Sequence, residues 1–280
     1  GCTVDLLLGG IDRLAAAVAA ERAAGPTALL VVGSTFFEKA FPEHRAGQEQ
    51  AKADLIARSL RKIGVAAFAP GPGDQVAGPE RFEALREAAG APDVTAQARI
   101  IQVGEVKVGV LGLAPAEGDA ALDPAPVQAR AERLRGDGAQ VVVALAARPR
   151  RTVRRLARGV PEVDLWLLGE HPAETSAASP AGEGYLVEAG DRGRNLGRIV
   201  LHDAARPGKL RDPAGDAERA RRMLDGQIKM KARMLALTKD PSLEQQLAEL
   251  RARQAALAAP AAEGKRFEYS LLPLPKAHPQ

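Results

Sequence analysis

Short apolar runs alternate with helix-patterned segments through roughly the first two hundred residues. The apolar runs are nearly continuous, which is typical of strands covered on both faces of a sheet. The predicted strands are Leu29–Val32, Val65–Phe68, Ile100–Val103, Lys107–Leu111, Val141–Leu145, Asp164–Leu168, Tyr185–Val187 and Arg198–Leu201. The predicted helices between them are Ile11–Ala24, Gln48–Ile63, Pro79–Ala89 and Val127–Arg135.

The connections in this region also carry a pattern. Glycines follow the predicted helices, as is common at helix carboxyl ends, and Gly104-Glu105 is placed as a hairpin turn between two strands. Strands connected by helices come first along the chain, and strands connected by hairpins follow. Residues 1–204 are therefore predicted to form an α/β sandwich and not a uniform barrel.

A second region, residues 205–280, is predicted to be a helical hairpin followed by a strand. The helices are 214–237 and 242–258, and Phe267, Tyr269 and Leu271 alternate like a strand that returns to the sheet. Apolar residues recur every seven positions on each helix and predict the seam, the line of side chains where the two helices meet. The seam residues are Met223, Met230 and Leu237 on the first helix and Leu243, Leu250 and Leu257 on the second, with Leu247 between Leu243 and Leu250.

The first helix of this hairpin carries further apolar residues at Leu224, Ile228 and Leu235. Its apolar surface exceeds what the second helix can cover. The hairpin is therefore expected to pack on the α/β body or to self-associate, and truncation after Ala205 is expected to destabilise the remaining domain.

Composition excludes several classes of protein. No apolar run approaches the roughly 20 residues of a membrane-spanning helix. The single cysteine, Cys2, excludes an internal disulfide framework and a multi-thiolate metal site. A net charge of +4 is a mild excess, and no nucleic-acid partner is expected.

Six segments, taken in chain order, carry recognisable motifs on the predicted elements or at their ends. They are Gly9–Leu14 (GGIDRL), Val31–Phe37 (VVGSTFF), Ala67–Asp74 (AFAPGPGD), Gly104–Leu113 (GEVKVGVLGL), Asp164–Pro172 (DLWLLGEHP) and Val187–Leu201 (VEAGDRGRNLGRIVL). Together they resemble the amino-terminal domain of the 5′-nucleotidase-like (calcineurin-like) metallophosphatases, including exported bacterial members. The resemblance implies an αββα sandwich, here with a carboxyl-terminal helical hairpin and return strand.

The resemblance also implies two divalent metals, such as Mn or Zn, about 3.5–4 Å apart, held by carboxylate, histidine and asparagine ligands. Most ligand positions are replaced in this chain. The degenerate motif positions are Ser34, Pro72, Gly73, Asp74, Ala146, Ala147, Glu170, His171 and Pro172. No catalytic residue and no bound metal are therefore predicted. Asp74 is expected to close a turn, and a single metal near Glu170 and His171 stays open as an alternative.

Arginines crowd the segment after the Val141–Leu145 strand. They are Arg148, Arg150, Arg151, Arg154, Arg155 and Arg158. The last four have the spacing of one helix face. This face is either merely solvated or a docking surface for an acidic protein partner, because guanidinium groups suit carboxylate and phosphate geometry.

The amino terminus has two interpretations. Gly1-Cys2 is either the end of a lipobox, which would make the protein a lipoprotein, or part of a Cys-Gly-Cys element that precedes the first helix in exported relatives. The second is preferred, and it places the domain's first strand and first motif before Gly1. Under both interpretations the expected location is the periplasm or cell envelope.

Two functions follow from these residues. The preferred hypothesis is a non-catalytic metallophosphatase-fold protein that acts as a binding or scaffold module in the cell envelope. The alternative is an active metal-dependent phosphoesterase or 5′-nucleotidase-like hydrolase with a displaced ligand set. The helical hairpin does not resemble the second domain that completes nucleotide recognition in the family, which weakens the alternative.

Overall fold

The structure is a computed structural model that describes residues 9–115, 121–169, 175, 177–190, 193–257 and 264–274. The helices are α1 (Ile11–Ala24), α2 (Ala46–Ile63), α3 (Pro79–Ala89), α4 (Pro124–Gly136), α5 (Arg150–Ala157), α6 (Pro213–Thr238) and α7 (Pro241–Ala255). The strands are β1 (Leu30–Gly33), β2 (Ala67–Pro70), β3 (Arg99–Val103), β4 (Val106–Leu113), β5 (Val141–Ala146), β6 (Leu165–Leu168), β7 (Ser179–Ala181), β8 (Gly184–Glu188), β9 (Asn195–His202) and β10 (Arg266–Pro273).

A six-stranded sheet forms one layer, in the order β3-β4-β5-β6-β8-β7. Its four inner strands are parallel, and β3 and β7 pair antiparallel at the two edges. The inner strands are apolar on both faces because both faces are covered. The hairpin predicted at Gly104-Glu105 joins β3 to β4 and is confirmed.

The described part of the chain forms four layers, which pack on one another through buried apolar side chains. Helices α4 and α5 cover one face of the six-stranded sheet, through residues such as Ala131 and Val153. The pairs β1–β2 and β9–β10 cover the other face, through residues such as Ala67 and Phe267. Helices α1, α2 and α3 pack on the outside of β1–β2. The predicted αββα sandwich is confirmed.

The hairpin predicted after residue 205 is present as α6 and α7, and its predicted seam holds on α7 at Leu243, Leu247 and Leu250 but differs on α6. Met223, Met230 and Leu237 are 63%, 56% and 77% exposed, so they lie on the outer face of α6. Leu224 is the buried residue of α6, and Leu243, Leu247 and Leu250 are buried on α7. A seven-residue repeat identified a stripe but not the side that faces the partner helix.

Contacts near the beginning of α6 hold this helix on the α/β sandwich. The Tyr185 hydroxyl donates to Asp216 Oδ2 at 3.0 Å, and the guanidinium of Arg219 lies 5.7 Å from the centre of the Tyr185 ring. Phe267 of β10 also packs on that ring, edge-on at 5.1 Å.

None of the described helices is both long and apolar enough to cross a bilayer.

Candidate functional site

Gly33 at the end of β1 lies against Gly169 after β6, so the carboxyl ends of the parallel pairs β1–β2 and β5–β6 lie at one edge of the sandwich, with the described motif residues that follow them. Ser34 follows β1, and Pro72 to Asp74 lie in a 3₁₀ turn after β2. Ala146 and Ala147 lie at the end of β5. The structure therefore brings the described motif positions together.

Asp74 ties the loop after β1 to the turn after β2. Its side chain is fully buried and accepts N–H groups from Thr35 at 2.8 Å, Phe36 at 2.6 Å and Gly71 at 3.1 Å. Burial raises the pKa of Asp74 to about 6, against the lowering effect of these backbone donors. Both carboxylate oxygens are engaged by the protein itself, in agreement with the predicted turn-closing role.

The backbone of Gly73 lies close to the Ser34 side chain and to the backbone of Phe37 and Glu38. The N–H of Gly73 donates to Ser34 Oγ at 3.0 Å. A β-carbon added to Gly73 would lie 2.3 Å from the carbonyl oxygen of Phe37 and 2.7 Å from that of Glu38. The loop that ends in Phe37 and Glu38 therefore fills the space that a side chain at position 73 would need.

The residues after β5 and β6 add no ligand within the described part of the chain. Ala146 and Ala147 are fully buried and have only methyl side chains. Glu170, His171 and Pro172 lie outside the described residues, so the alternative of a single metal there stays a prediction.

The described residues do not fit a two-metal centre. Such a centre needs several carboxylate, imidazole or amide donors that converge on one point. Here both carboxylate oxygens of Asp74 accept backbone N–H groups, Ser34 accepts from Gly73, and Pro72 has a ring in place of a donor. Among the residues that the structure describes, no three His, Cys, Asp or Glu side chains form a group that could hold a metal ion.

The arginine cluster divides into two sets. Arg148 is buried and donates from Nε to the carbonyl of Ala114 at 2.8 Å, and burial lowers its pKa. Arg150 turns inward and donates to Glu188 at 2.8 Å and to Ser179 at 2.9 Å. The second set consists of Arg151, Arg154 and Arg155 of α5 and of Arg158, which follows this helix. Arg148 and Arg150 are therefore engaged inside the domain, and the four arginines whose spacing predicted one helix face lie exposed on its surface.

Glu188, at the carboxyl end of β8, was missed in the sequence. Its side chain is 1% exposed, with Oε2 paired to Arg150 and Oε1 lacking a hydrogen-bond partner among the described residues. Its backbone carbonyl accepts the hydroxyl of Tyr269 at 2.8 Å. Strand β8 is otherwise apolar, so a buried carboxylate at its last position is the signal that could have marked Glu188.

Solved structures share this architecture. A sulfate thiohydrolase, SoxB, from Thermus thermophilus superposes with a TM-score of 0.59 at 21% identity, over 69% of this chain and 40% of that one. The NAD nucleotidase NadN of Haemophilus influenzae gives 0.57 at 16% identity, over 69% of this chain and 46% of that one. A 5′-nucleotidase precursor, also from Thermus thermophilus, gives 0.53 at 19% identity, over 69% and 45%.

The matched regions lie in the amino-terminal parts of these proteins. The chain has the fold of the amino-terminal domain of 5′-nucleotidase-like metallophosphatases. It spans less than half the length of these neighbours. No family model and no curated protein sequence matches it. At these identities the likeness establishes the metallophosphatase fold and nothing about activity.

Proposed function

We propose that this chain is a non-catalytic metallophosphatase-fold protein that acts as a binding or scaffold module in the cell envelope. The observation that carries the proposal is the contact at Gly73, where a β-carbon would lie 2.3 Å from the Phe37 carbonyl. The family resemblance implies a histidine at this position, and a histidine here would need a new path for the loop after β1. Loss of the metal site is therefore built into the backbone and is not confined to side-chain identity.

Metal analysis tests this proposal. The purified chain, equilibrated with micromolar Mn or Zn and passed through a desalting column, is expected to hold well under one metal ion. Hydrolysis of nucleoside monophosphates is expected to stay at the buffer background, with an active metallophosphatase as the assay control. Two bound metals with turnover would overturn the proposal.

A matched pair of variants distinguishes this proposal from the alternative function, a phosphoesterase with a displaced ligand set. Glu170→Gln and His171→Asn remove the remaining candidate ligands after β6. If the parent binds metal and hydrolyses phosphate esters while both variants lose these properties, the rival is correct. Equal, negligible metal content in all three chains supports the non-catalytic function.

The surface that supports binding is the guanidinium face of α5. Arg154 and Arg158 are exposed on this face, which also carries Arg151 and Arg155, whereas Val153 and Leu156 on the opposite side are buried. We assign an acidic protein partner to this face because four guanidinium groups on one side of a short helix present paired donors for carboxylates. Self-association through the hairpin remains a second proposed contact.

A further inference from the structure

One face of α6 leaves large apolar side chains exposed. Six such side chains are exposed in the described part of the chain, and four of them lie on this helix. They are Met223, Met230, Met234 and Leu237, which include every methionine of the sequence. A group of exposed apolar side chains on one surface marks a site of contact with a partner or a membrane.

The four residues form a single line along α6, which we call the methionine stripe. Their spacings of seven, four and three residues return to the same side of a helix with 3.6 residues per turn. The helix rises roughly 21 Å from the first residue of the stripe to the last. Helix α7 lies on another side of α6, where Lys231 donates to Gln246 and Asp225 accepts from Gln254. The stripe is therefore not the surface that joins the two helices.

The charges that border the methionine stripe have one sign. From Gly226 to Lys239 the chain contains four cationic residues and no acidic residue. Lys231 and Arg233 lie about 80° to either side of the stripe on the helix surface, and Lys229 lies further round. Long cationic side chains extend along an apolar surface and keep their charge at its margin. An apolar line bordered by cations is typical of helices that lie in a membrane interface.

These charges favour a lipid surface over a second copy of the chain. Two copies that met through the stripe would bring Lys229, Lys231 and Arg233 of one copy near those of the other, and like charges repel. An anionic bilayer accepts a convex helix without a preformed groove. Each Lys or Arg near such a surface strengthens binding roughly fivefold.

We propose that the methionine stripe docks α6 on the surface of an anionic lipid bilayer. The helix lies parallel to the membrane, with Met230, Met234 and Leu237 in the headgroup region and the flanking cations at lipid phosphates. This inference rests on α6 alone, so it holds whether or not the sandwich binds metal.

Vesicle binding by the whole 280-residue chain tests the inference. Cys2→Ser in every chain removes the thiol that an acyl anchor would need. The parent is expected to sediment with vesicles of equal parts phosphatidylglycerol and phosphatidylcholine. It should bind them at least roughly tenfold more tightly than vesicles of phosphatidylcholine alone, and added salt should weaken the binding.

A double variant tests the apolar part of the stripe. Met230→Gln combined with Leu237→Gln is expected to weaken binding to the anionic vesicles at least roughly tenfold, because it removes apolar surface from the headgroup region. The matched control is Leu55→Gln combined with Val76→Gln, which alters the two exposed apolar residues outside α6 and should leave binding unchanged.

A triple variant tests the charged border. Replacing Lys229, Lys231 and Arg233 by Gln is expected to weaken binding about a hundredfold, from roughly fivefold for each cation. The control makes the same change in net charge on α2, where Lys52, Arg58 and Lys62 are exposed, and should change binding little.

Fluorescence gives a second measurement that does not depend on loss of binding. The native tryptophan, Trp166, is fully buried in the sandwich, so a new tryptophan on α6 reports the stripe. Met234→Trp is expected to shift its emission to shorter wavelength with anionic vesicles and to be quenched by lipids brominated on the acyl chain. Leu55→Trp, the control on α2, should show neither effect.

Three results would overturn the inference. The first is a parent chain that does not sediment with anionic vesicles. The second is vesicle binding that the double variant of Met230 and Leu237 leaves unchanged. The third is a parent dimer, measured by light scattering, that the same double variant converts to a monomer, since the stripe would then join two copies of the chain.

Discussion

Gly33 and Gly169 meet backbone to backbone where β1 and β6 end. A β-carbon on Gly33 would lie 2.5 Å from the carbonyl oxygen of Gly169, and one on Gly169 would lie 2.3 Å from the carbonyl oxygen of Val32. Gly33 also has a φ of 97°, which disfavours other residues. This contact fixes the distance between the two sheets at the candidate site.

Gly169→Ala is expected to destabilise the fold by about 1–3 kcal/mol, because the added methyl group forces the two strand ends apart. Chemical denaturation measures the change. The control is Gly47→Ala in α2, where no atom lies within 4 Å of the new β-carbon and alanine favours the helix. Equal stability of Gly169→Ala and the parent would show that the sheets separate freely at this edge.

Asp74 gives the fold a pH dependence with a defined sign. Its pKa is raised by burial from 3.8 to about 6, so between these values the native state holds a proton that the unfolded chain has lost. The resulting stabilisation is fully present below pH 3.8 and is lost as the pH rises through about 6.

Asp74→Asn isolates this contribution, because every other titrating group is common to both chains. The free energy of unfolding of the parent minus that of the variant is expected to fall by about 3 kcal/mol between roughly pH 4 and pH 7. Urea titrations at several pH values measure it. A difference that grows with pH would mean that the N–H donors of Thr35, Phe36 and Gly71 outweigh burial.

Arg150→Met is expected to cost about 3–5 kcal/mol, because it leaves the buried carboxylate of Glu188 without its cation. Arg154→Met on the exposed face of the same helix should change stability by about 0.5 kcal/mol or less. Glu188→Gln combined with Arg150→Met is expected to recover part of the loss. If both single arginine variants behave alike, the ion pair is not structural.

The sequence predicts the inner strands well because each contains a nearly continuous apolar run. Strand β7 could not be found this way, since Ser179, Pro180 and Ala181 lack an apolar run and pair only through β8. The predicted seam was wrong on α6 for another reason. Met223 and Leu224 are adjacent, and either could begin a helical stripe, so tertiary contacts decide which one is buried.

The candidate site shows the same limit. Proximity along the chain grouped Arg150 with the exposed arginines because the partner that turns it inward, Glu188, lies 38 residues away. Asp74 was recognised as a turn-closing residue because glycine and proline precede it. Its Oδ1 atom, however, accepts the N–H groups of Thr35 and Phe36, which follow a different strand.

Replacing Arg151, Arg154, Arg155 and Arg158 by Gln is expected to change stability little, because exposed charges contribute little. It should weaken binding to poly-L-glutamate and reduce the salt dependence of the remaining affinity. The control replaces four basic residues of α6 by Gln, namely Arg221, Arg222, Lys229 and Arg233. Equal losses in both variants, measured by titration calorimetry, would show that net charge alone binds the polymer.

The two ends of the arm formed by α6 and α7 leave the body together. Arg211 donates from its backbone N–H to the carbonyl of Lys265 at 3.1 Å, and Phe267 donates to the carbonyl of Arg211 at 2.8 Å. Residues 213–263 can therefore be replaced by a short Gly-Ser linker that keeps β10. A cut after Ala205 removes β10 as well, so it does not test the arm alone.

The linker variant is expected to remain folded and to melt about 3–8 °C below the parent, because it loses the Tyr185–Asp216 hydrogen bond and the Arg219 contact, together about 1–2 kcal/mol. Tyr185→Phe, which removes only the hydrogen bond, should show part of this shift. Truncation after Ala205 is expected to abolish cooperative melting, since β9 loses its partner strand and the fully buried Phe267 is removed. Calorimetry of the three chains separates these effects. If the linker variant loses cooperative melting as the truncation does, the arm is part of the core. If it melts at the temperature of the parent, the arm adds no stability to the sandwich.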